Sequence, residues 1–327
     1  MNYDILPKIE LHLHLDCSVS YAVASALSPA LTPHEFREEF IAPARCQNLA
    51  DYLSRAVRGF ELMQSARALE WVAEDLLGQL RKDKVIYAEV RFAPLLHTRG
   101  GLSPEAVVEA VLGAFQKAAG PAAQLILCTL RRFSGQESMA TARLAQRYLG
   151  QGVCGFDIAG DEAGHPLAPH LPAFRWAAEH GVPATAHAGE ACGAESVAET
   201  LSEARVQRLG HGVRIVEGPA VLAGALESGI HFEVCPTSNL QTGVFPNLKA
   251  HSMQELYRKG ASISINTDGR TLSNVTLADE YRKVEAAFGW GREELLQCNL
   301  AAAEASFLPE NRRQALKLAL AQGWANG

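Results

Sequence analysis

Short apolar runs alternate along the chain with longer stretches that show helical periodicity. Eight of these runs have the length and composition of buried strands. They cover residues 9–15, 85–94, 124–130, 153–159, 183–188, 206–211, 231–235 and 261–267. Most of them are continuously apolar rather than alternating, which is typical of parallel strands covered on both faces by helices.

Between these runs, apolar residues recur at i, i+3, i+4 and i+7, which predicts amphipathic helices. The pattern is strongest over residues 66–82 and 104–119. It continues over 138–149, 171–180, 197–204, 220–228 and 253–259, and residues 292–324 predict two closing helices. Because each parallel crossover needs a helix, the alternation predicts an α/β fold with a single (β/α)8 barrel of the TIM type.

The first connection is unusual, since residues 19–60 are far more than one crossover requires and contain several helical pieces. Connections that follow barrel strands lie at the active end, so this helical insertion is expected to form a lid. No repeat, low-complexity tract or linker marks a boundary in the sequence. We therefore expect one domain over residues 1–327.

Composition narrows the class of protein. The chain has 327 residues, 48% of them hydrophobic, and a formal net charge of -6. The absence of a basic surplus argues against nucleic acid and anionic membranes as partners. No apolar run reaches the roughly 18 residues of a membrane span, and the first ten residues do not resemble a signal peptide. A cytoplasmic protein with seven reduced cysteines is the expectation.

Polar residues interrupt the apolar runs where the predicted strands end. His12 and His14 lie two residues apart and so share one face of their strand. His187, His211 and Asp268 lie at the ends of three later strands. A single histidine in such a place is more often structural than functional. Together these residues surround one barrel rim, where TIM barrels hold their active sites.

Zinc suits this set of side chains, because three imidazoles and one carboxylate leave room for a water molecule. The predicted ligands of one Zn²⁺ per chain are His12, His14, His187 and Asp268. Bound water would have its pKa lowered from about 15.7 towards 7. His211 remains as a base or electrostatic partner of that water. Glu190, three residues after a predicted ligand, is the candidate proton donor.

Seven segments in this order and context resemble the adenosine deaminase family. They are residues 12–16 (HLHLD), 157–162 (DIAGDE), 187–190 (HAGE), 209–212 (LGHG), 235–239 (CPTSN), 266–268 (NTD) and 305–309 (ASFLP). The resemblance extends from about residue 7 to about residue 318. Each motif is short, and the set as a whole is specific.

The resemblance implies hydrolytic removal of the 6-amino group from an adenosine-like nucleoside, with release of ammonia. It implies the same zinc ligands, a Glu190 that protonates purine N1, and a His211 that orients the attacking water and helps to deprotonate it. It also implies that the Gly160 N–H meets purine N3 and that Asp16 and His14 lie near the ribose 5' end. The substrate would be adenosine or a 5'-extended adenosine such as 6-aminodeoxyfutalosine.

Two positions depart from the family pattern. The family usually has a second acidic residue, which binds purine N7, where this chain has Gly269, and it usually has glycine where this chain has Cys17. Arg270 or Asn274 could replace the missing acidic group at the substrate-binding position of Gly269. Three arginines are candidates for binding a carboxylate on a 5' extension. They are Arg91, Arg131 and Arg132.

Two other classes of function remain open from the sequence. The metal ligands would serve equally well in a hydrolase of a non-purine amide or ester. Gly269 alone favours a non-catalytic purine-binding protein, whereas His211 and Glu190 argue against one because a binder needs no residue that primes water. The sequence does not predict the oligomeric state.

Overall fold

The structure is a computed structural model that describes residues 1–118 and 120–326. The described residues form eight strands at the places that the apolar runs predict. They are β1 (Lys8–His14), β2 (Val85–Phe92), β3 (Ala122–Leu130), β4 (Val153–Ala159), β5 (Thr185–Ala188), β6 (Arg208–His211), β7 (His231–Val234) and β8 (Ser262–Ile265). All pairings between neighbouring strands are parallel.

The strands form two four-stranded sheets, β1 to β4 and β5 to β8, which single bridges join at both seams. At the seam between β4 and β5, the Phe156 N–H donates to the carbonyl of Pro183 at 2.9 Å. At the seam between β8 and β1, the His14 N–H donates to the carbonyl of Asp268, and the Asp268 N–H donates to that of His12, at 2.7 and 3.0 Å. The predicted α/β barrel is confirmed.

Four short helices follow β1, where the sequence predicts a helical insertion. They are α1 (Tyr21–Leu27), α2 (Pro33–Phe40), α3 (Leu49–Leu53) and α4 (Ala56–Leu62). The Ala42 N–H donates to the carbonyl of Leu272 at 2.8 Å, and the Cys46 N–H donates to that of Gln241 at 2.7 Å. These bonds attach the insertion to the chain after β7 and β8, over the carboxyl ends of the strands.

The remaining helices surround the barrel. They are α5 (Ala66–Lys82), α6 (Pro104–Lys117), α7 (Gly135–Arg147), α8 (Leu171–Glu179), α9 (Ala194–Glu199), α10 (Pro219–Glu227), α11 (Pro236–Gln241), α12 (Met253–Arg258), α13 (Leu277–Phe288), α14 (Arg292–Ala305) and α15 (Glu310–Asn326). The helix predicted over 104–119 ends at Lys117, and residue 119 lies outside the described residues. The pattern did not predict α11 or α13. Among the described residues, no helix combines enough length and apolarity to cross a membrane.

Local sequence explains where several helices begin. The side chain of Ser65 accepts the N–H of Ala68 at the start of α5. The predicted range of this helix, 66–82, matches the observed one. At the start of α7, the side chains of Ser134 and Glu137 each accept the other residue's backbone N–H. Such reciprocal caps satisfy backbone donors that have no partner within the helix. The caps therefore set the first residues of both helices.

Candidate metal centre and active site

Four side chains from three strand ends meet at the mouth of the barrel. This group, here called the histidine–aspartate cluster, consists of His12, His14, His187 and Asp268. Each residue offers one ligand atom, and these atoms all lie within 4.8 Å of one another. His14 Nε2 lies 3.2 Å from His187 Nε2, and Asp268 Oδ1 lies 3.4 Å from the Nε2 atoms of both His12 and His14. The structure thus brings together all four predicted ligands.

The donor set fits a zinc ion. His12 Nε2 is buried and has no hydrogen-bond partner, although it points into the cluster. A buried polar atom without a partner is costly, and a metal ion would satisfy it. Three imidazole nitrogens and one carboxylate oxygen match the ligand types that Zn²⁺ prefers.

A second group of potential ligands overlaps the first and consists of His12, His211, Cys235 and Asp268. Burial raises the pKa of the Cys235 thiol well above its ordinary value. The thiol also donates to the carbonyl of Glu233 at 3.6 Å, so binding a metal would cost it this bond as well as its proton. The histidine–aspartate cluster is therefore the better candidate for a metal centre.

Backbone geometry creates space for the imidazoles. A β-carbon at Gly210 would lie 2.9 Å from Cε1 of His12 and 3.2 Å from Cγ of His187, so a side chain at this position would displace the two rings. His211 and Asp268 both adopt positive φ, at 60° and 62°. This left-handed conformation is uncommon outside glycine and tends to occur at functional sites. It turns both side chains from the strand direction towards the barrel mouth.

Buried carboxylates hold the outer nitrogens of two cluster imidazoles. His12 Nδ1 lies 2.8 Å from Glu233 Oε2, and His187 Nδ1 lies 3.2 Å from Asp157 Oδ2. Arg91 bonds to both carboxylates, at 2.8 Å to Asp157 and 2.6 Å to Glu233. Burial alone would raise the pKa of Asp157, but His187 and Arg91 hold it well below its usual range. The carboxylates therefore fix the tautomers that leave each Nε2 free to bind a metal.

Glu190 and His211 lie beside the cluster, with His211 Nε2 3.6 Å from Glu190 Oε2. Burial, followed by the charges of Asp268 and Glu162, raises the pKa of Glu190 well above its ordinary value. A raised pKa favours the protonated carboxyl group, which is the form that can donate a proton. Burial and the neighbouring His12 lower the pKa of His211 well below its usual range. These shifts favour the proton-donating form of Glu190 and the neutral imidazole of His211.

A hydrogen-bond chain determines which nitrogen of His211 carries the proton. The Met253 N–H can only donate, and it donates to Nδ1 of His251 at 3.0 Å. Burial lowers the pKa of His251 to about 3, so this imidazole is neutral and its proton is on Nε2. His251 Nε2 therefore donates to Asn239 Oδ1 at 3.2 Å, and Asn239 Nδ2 donates to Nδ1 of His211 at 3.1 Å. The proton of His211 is then on Nε2, which faces the site.

A single carboxylate anchors the segment that carries Glu190. Glu162 is 5% exposed and also accepts the hydroxyl of Ser196 at 2.6 Å. Its oxygens accept four consecutive backbone N–H groups at 2.7–3.0 Å. The donors are Gly189, Glu190, Ala191 and Cys192. Glu162 lies in a motif quoted above, but no local pattern predicted this role, because its partners lie 27–34 residues later in the chain.

Two adjoining cavities reach the cluster. The smaller has a volume of about 40 Å³ and is lined in part by His187, Glu190, His211 and Asp268. The larger has a volume of about 310 Å³. Three predicted substrate-site residues line it, namely His14, Asp16 and Gly160. Burial raises the pKa of Asp16 to about 6.

The structure corrects several expectations about the substrate end of the site. Arg270 bonds to Glu10 at 3.0 Å and also to Asp83, so it does not replace a missing acidic group near the cluster. Asn274 lines a different cavity, together with Asp83 and Arg270. Gly269 lines neither of the two cavities at the cluster, whereas Cys17 lines both.

The three candidate arginines have different environments. Arg91 is fully buried in its pairs with Asp157 and Glu233, so it cannot bind a substrate carboxylate. Arg131 donates to the carbonyl groups of His165 and His187 at 3.3 and 3.1 Å, which is a structural role. Arg132 lines the larger cavity.

The sequence model of the adenosine deaminase family matches residues 7–322. The chain belongs to the adenosine deaminase family. A relative named adenosine deaminase from Mycolicibacterium gilvum (strain PYR-GCK) is 38% identical in an alignment 336 positions long, gaps included, that covers 95% of this chain and 92% of the relative. Another relative of that name, from Clostridium acetobutylicum, is 34% identical, with 93% and 94% covered. The resemblance inferred from the motifs is confirmed.

Solved structures of other proteins share the fold. The chain matches an adenine deaminase from Arthrobacter aurescens with a TM-score of 0.89 and 22% identity, covering 98% of this chain and all of the other. It matches an amidohydrolase from Burkholderia ambifaria, solved with bound zinc, with a TM-score of 0.91 and 24% identity, covering 99% and 92%. At these identities the likeness establishes the barrel fold.

Proposed function

We propose that this chain is a zinc-dependent aminohydrolase that removes the 6-amino group from an adenosine-like nucleoside and releases ammonia. The observation that carries the proposal is the position of Glu190 and His211, 3.6 Å apart, next to the histidine–aspartate cluster. Membership of the adenosine deaminase family supports the same reaction. A protein that merely binds purines needs neither residue, and a hydrolase of amides or esters has no need of an acid matched to a ring nitrogen.

His12, His14, His187 and Asp268 would hold one zinc ion, whose chemistry is the activation of water at neutral pH. Glu190 would donate its proton to purine N1. This makes the neighbouring C6 more electrophilic and therefore open to attack by water. Conversion of the attacking water to the C6 carbonyl oxygen releases two protons. The carboxylate left on Glu190 is available to accept both in turn: it passes the first to the departing amine, which leaves as ammonia, and keeps the second, which restores its protonated form.

His211 would orient the attacking oxygen by donating a hydrogen bond from Nε2. The chain that starts at the Met253 N–H places the proton on that atom, which leaves it without a free lone pair. The resemblance implied both orientation and deprotonation of water by this residue. The hydrogen-bond chain favours orientation, with Glu190 as the group that exchanges protons.

Adenosine is the first candidate substrate. The larger cavity favours a 5'-extended adenosine as the second, because its lining includes Asp16, apolar residues of the insertion and Arg132. The apolar lining includes Leu53, Val57, Phe60, Leu96 and Leu130. In either case Gly160 and Asp16 would bind the nucleoside. The expected partner is a small molecule, and the cytoplasmic location stays a prediction.

The decisive experiment measures metal content and ammonia release from the same preparation of purified enzyme. We expect about one zinc per chain and turnover of adenosine, adenine or 6-aminodeoxyfutalosine, ranked by kcat/KM. Glu190→Gln keeps the side-chain volume but removes the acid, so it should lower kcat by about 10²–10⁴ with zinc retained. Glu195→Gln, an exposed carboxylate on α9, is the matched control. A fully zinc-loaded enzyme that releases no ammonia from any 6-aminopurine would refute the proposal.

A further inference from the structure

Gly269, directly after Asp268, has no room for a side chain. A β-carbon built there would lie 2.6 Å from the β-carbon of Cys17 and 3.1 Å from its carbonyl oxygen. Gly269 does not adopt positive φ, so its backbone conformation is open to any residue. The closest of the contacts is with the side chain of Cys17, and the carbonyl oxygen of Cys17 and the β-carbon of Leu272, both at 3.1 Å, would have to give by only a few tenths of an ångström.

Backbone hydrogen bonds keep the two segments in contact. The carbonyl of Cys17 accepts the N–H groups of Thr271 and Leu272 at 3.1 and 3.0 Å. The N–H of Ser273 donates to the carbonyl of Gly269 at 2.7 Å, which fixes the turn that follows the strand end. Because both segments are held in this way, Cys17 cannot move aside as a unit to admit a side chain at position 269.

Cys17 is also the member of the pair that lines the cavities at the cluster. It lines the small cavity together with Glu190 and His211, and the larger cavity together with Asp16. The two departures from the family pattern are therefore one structural change. The side chain that forms this part of the wall comes from position 17 rather than from position 269.

We propose that Cys17 is a specificity-determining residue, which presents a weakly polar thiol to the substrate ring where a side chain at Gly269 would otherwise stand. This inference rests on the proposed function. In a 6-aminopurine, C6 lies between N1 and the edge that carries C5 and N7. With N1 at Glu190, the wall beside Asp268 meets the N7 edge. A thiol is a weak donor, so the substrate class includes 6-aminopurine nucleosides in which position 7 accepts no hydrogen bond.

The wild-type enzyme provides the first test and requires no mutation. We expect 7-deazaadenosine, in which CH replaces N7, to keep kcat/KM within about threefold of adenosine, since only a weak hydrogen bond is lost. If a 5'-extended adenosine is the better substrate, its own 7-deaza analogue takes this place. 3-Deazaadenosine is the matched control and should lose about tenfold, because it removes the acceptor for the Gly160 N–H. A loss of 50-fold or more with the 7-deaza compound would overturn the inference.

Variants test the steric coupling, with Tm and kcat/KM measured for each. Gly269→Ala should lower both quantities. Adding Cys17→Gly to that variant should raise its Tm towards the Tm of the Cys17→Gly single variant. Cys17→Gly combined with Gly269→Asp should place a carboxyl group at the wall and raise the preference for adenosine over 7-deazaadenosine about tenfold. A Gly269→Ala variant as stable as the wild type, or strictly additive effects, would contradict the inference. Wild-type enzyme without any deaminase activity would instead refute the proposed function.

Discussion

Glu162 offers a direct test of how the protein positions its acid. Its carboxylate accepts four consecutive N–H groups and one hydroxyl. None of these five hydrogen bonds involves a residue of the histidine–aspartate cluster. Glu162→Gln keeps the shape of the side chain but replaces one acceptor oxygen with an NH2 group. This change should move the backbone that carries Glu190 without altering any predicted metal ligand.

The structure sets the size of the effect. Glutamine can keep its oxygen towards the N–H groups of residues 190–192, and its NH2 group then faces the N–H of Gly189, which loses its partner. One buried donor without a partner costs about 1–3 kcal/mol, and the other bonds lose the strength that a charged acceptor gives. We expect the free energy of unfolding to fall by about 2–4 kcal/mol. A displacement of Glu190 by about 1 Å should lower kcat by about 10²-fold.

The assay combines urea unfolding, steady-state kinetics and metal analysis. The Glu162→Gln variant should lose stability and kcat while it keeps its zinc. Glu195→Gln is the control, because Glu195 is exposed and accepts a single N–H group of the same segment, that of Gly193, at 3.2 Å. If Glu162→Gln stays within 0.5 kcal/mol and twofold of the wild type, which is the usual range of surface substitutions, the reasoning is wrong.

Two further predictions concern buried polar groups. In Asn239→Asp the new carboxylate can only accept hydrogen bonds, so the proton of His211 should move to Nδ1 and kcat should fall by about 10²–10⁴. Nitrogen NMR of the His211 imidazole reports which nitrogen carries the proton. An unchanged tautomer would contradict the assignment. Burial raises the pKa of Glu280 from 4.5 to about 7, so the folded state binds more protons than the unfolded state between these values, and stability falls as pH rises through this window. The free energy of unfolding of Glu280→Gln, measured with urea relative to the wild type, should therefore rise from pH 5 to pH 8 by at most about 3 kcal/mol. The same difference between variant and wild type at pH 5 and at pH 8 would refute this.

The barrel could be predicted from the sequence because parallel strands covered on both faces are continuously apolar. The observed strands are shorter than several predicted runs. The last run, 261–267, gives a strand over Ser262–Ile265, because the chain leaves the regular sheet before the turn at Asp268. Helix α13 was missed because the buried Glu280 interrupts its apolar face between Leu277 and Val284. Helix α11 has six residues, too few for a periodic pattern.

The residues at the strand ends were also predictable, because position at a strand terminus is a local property of the sequence. The groups that hold them were not. Glu233 lies 221 residues after His12, and only the closure of the barrel brings the two together. The one local sign that Glu233 has a special role is that a charged residue lies within a short buried strand. Similarly, Cys17 and Gly269 were noted as two separate departures, and their contact depends on tertiary structure.

The seam between β1 and β8 couples the assembly of the site to the folding of the whole chain. The bonds that join this seam come from His12, His14 and Asp268, which are cluster residues separated by more than 250 positions. During synthesis on the ribosome, β1 therefore has no partner on this side until almost the entire chain has been made. Contacts of such long sequence separation form late, because loop closure costs entropy before any contact repays it. A nascent or truncated chain that ends before residue 268 would carry most of the barrel and no complete metal centre.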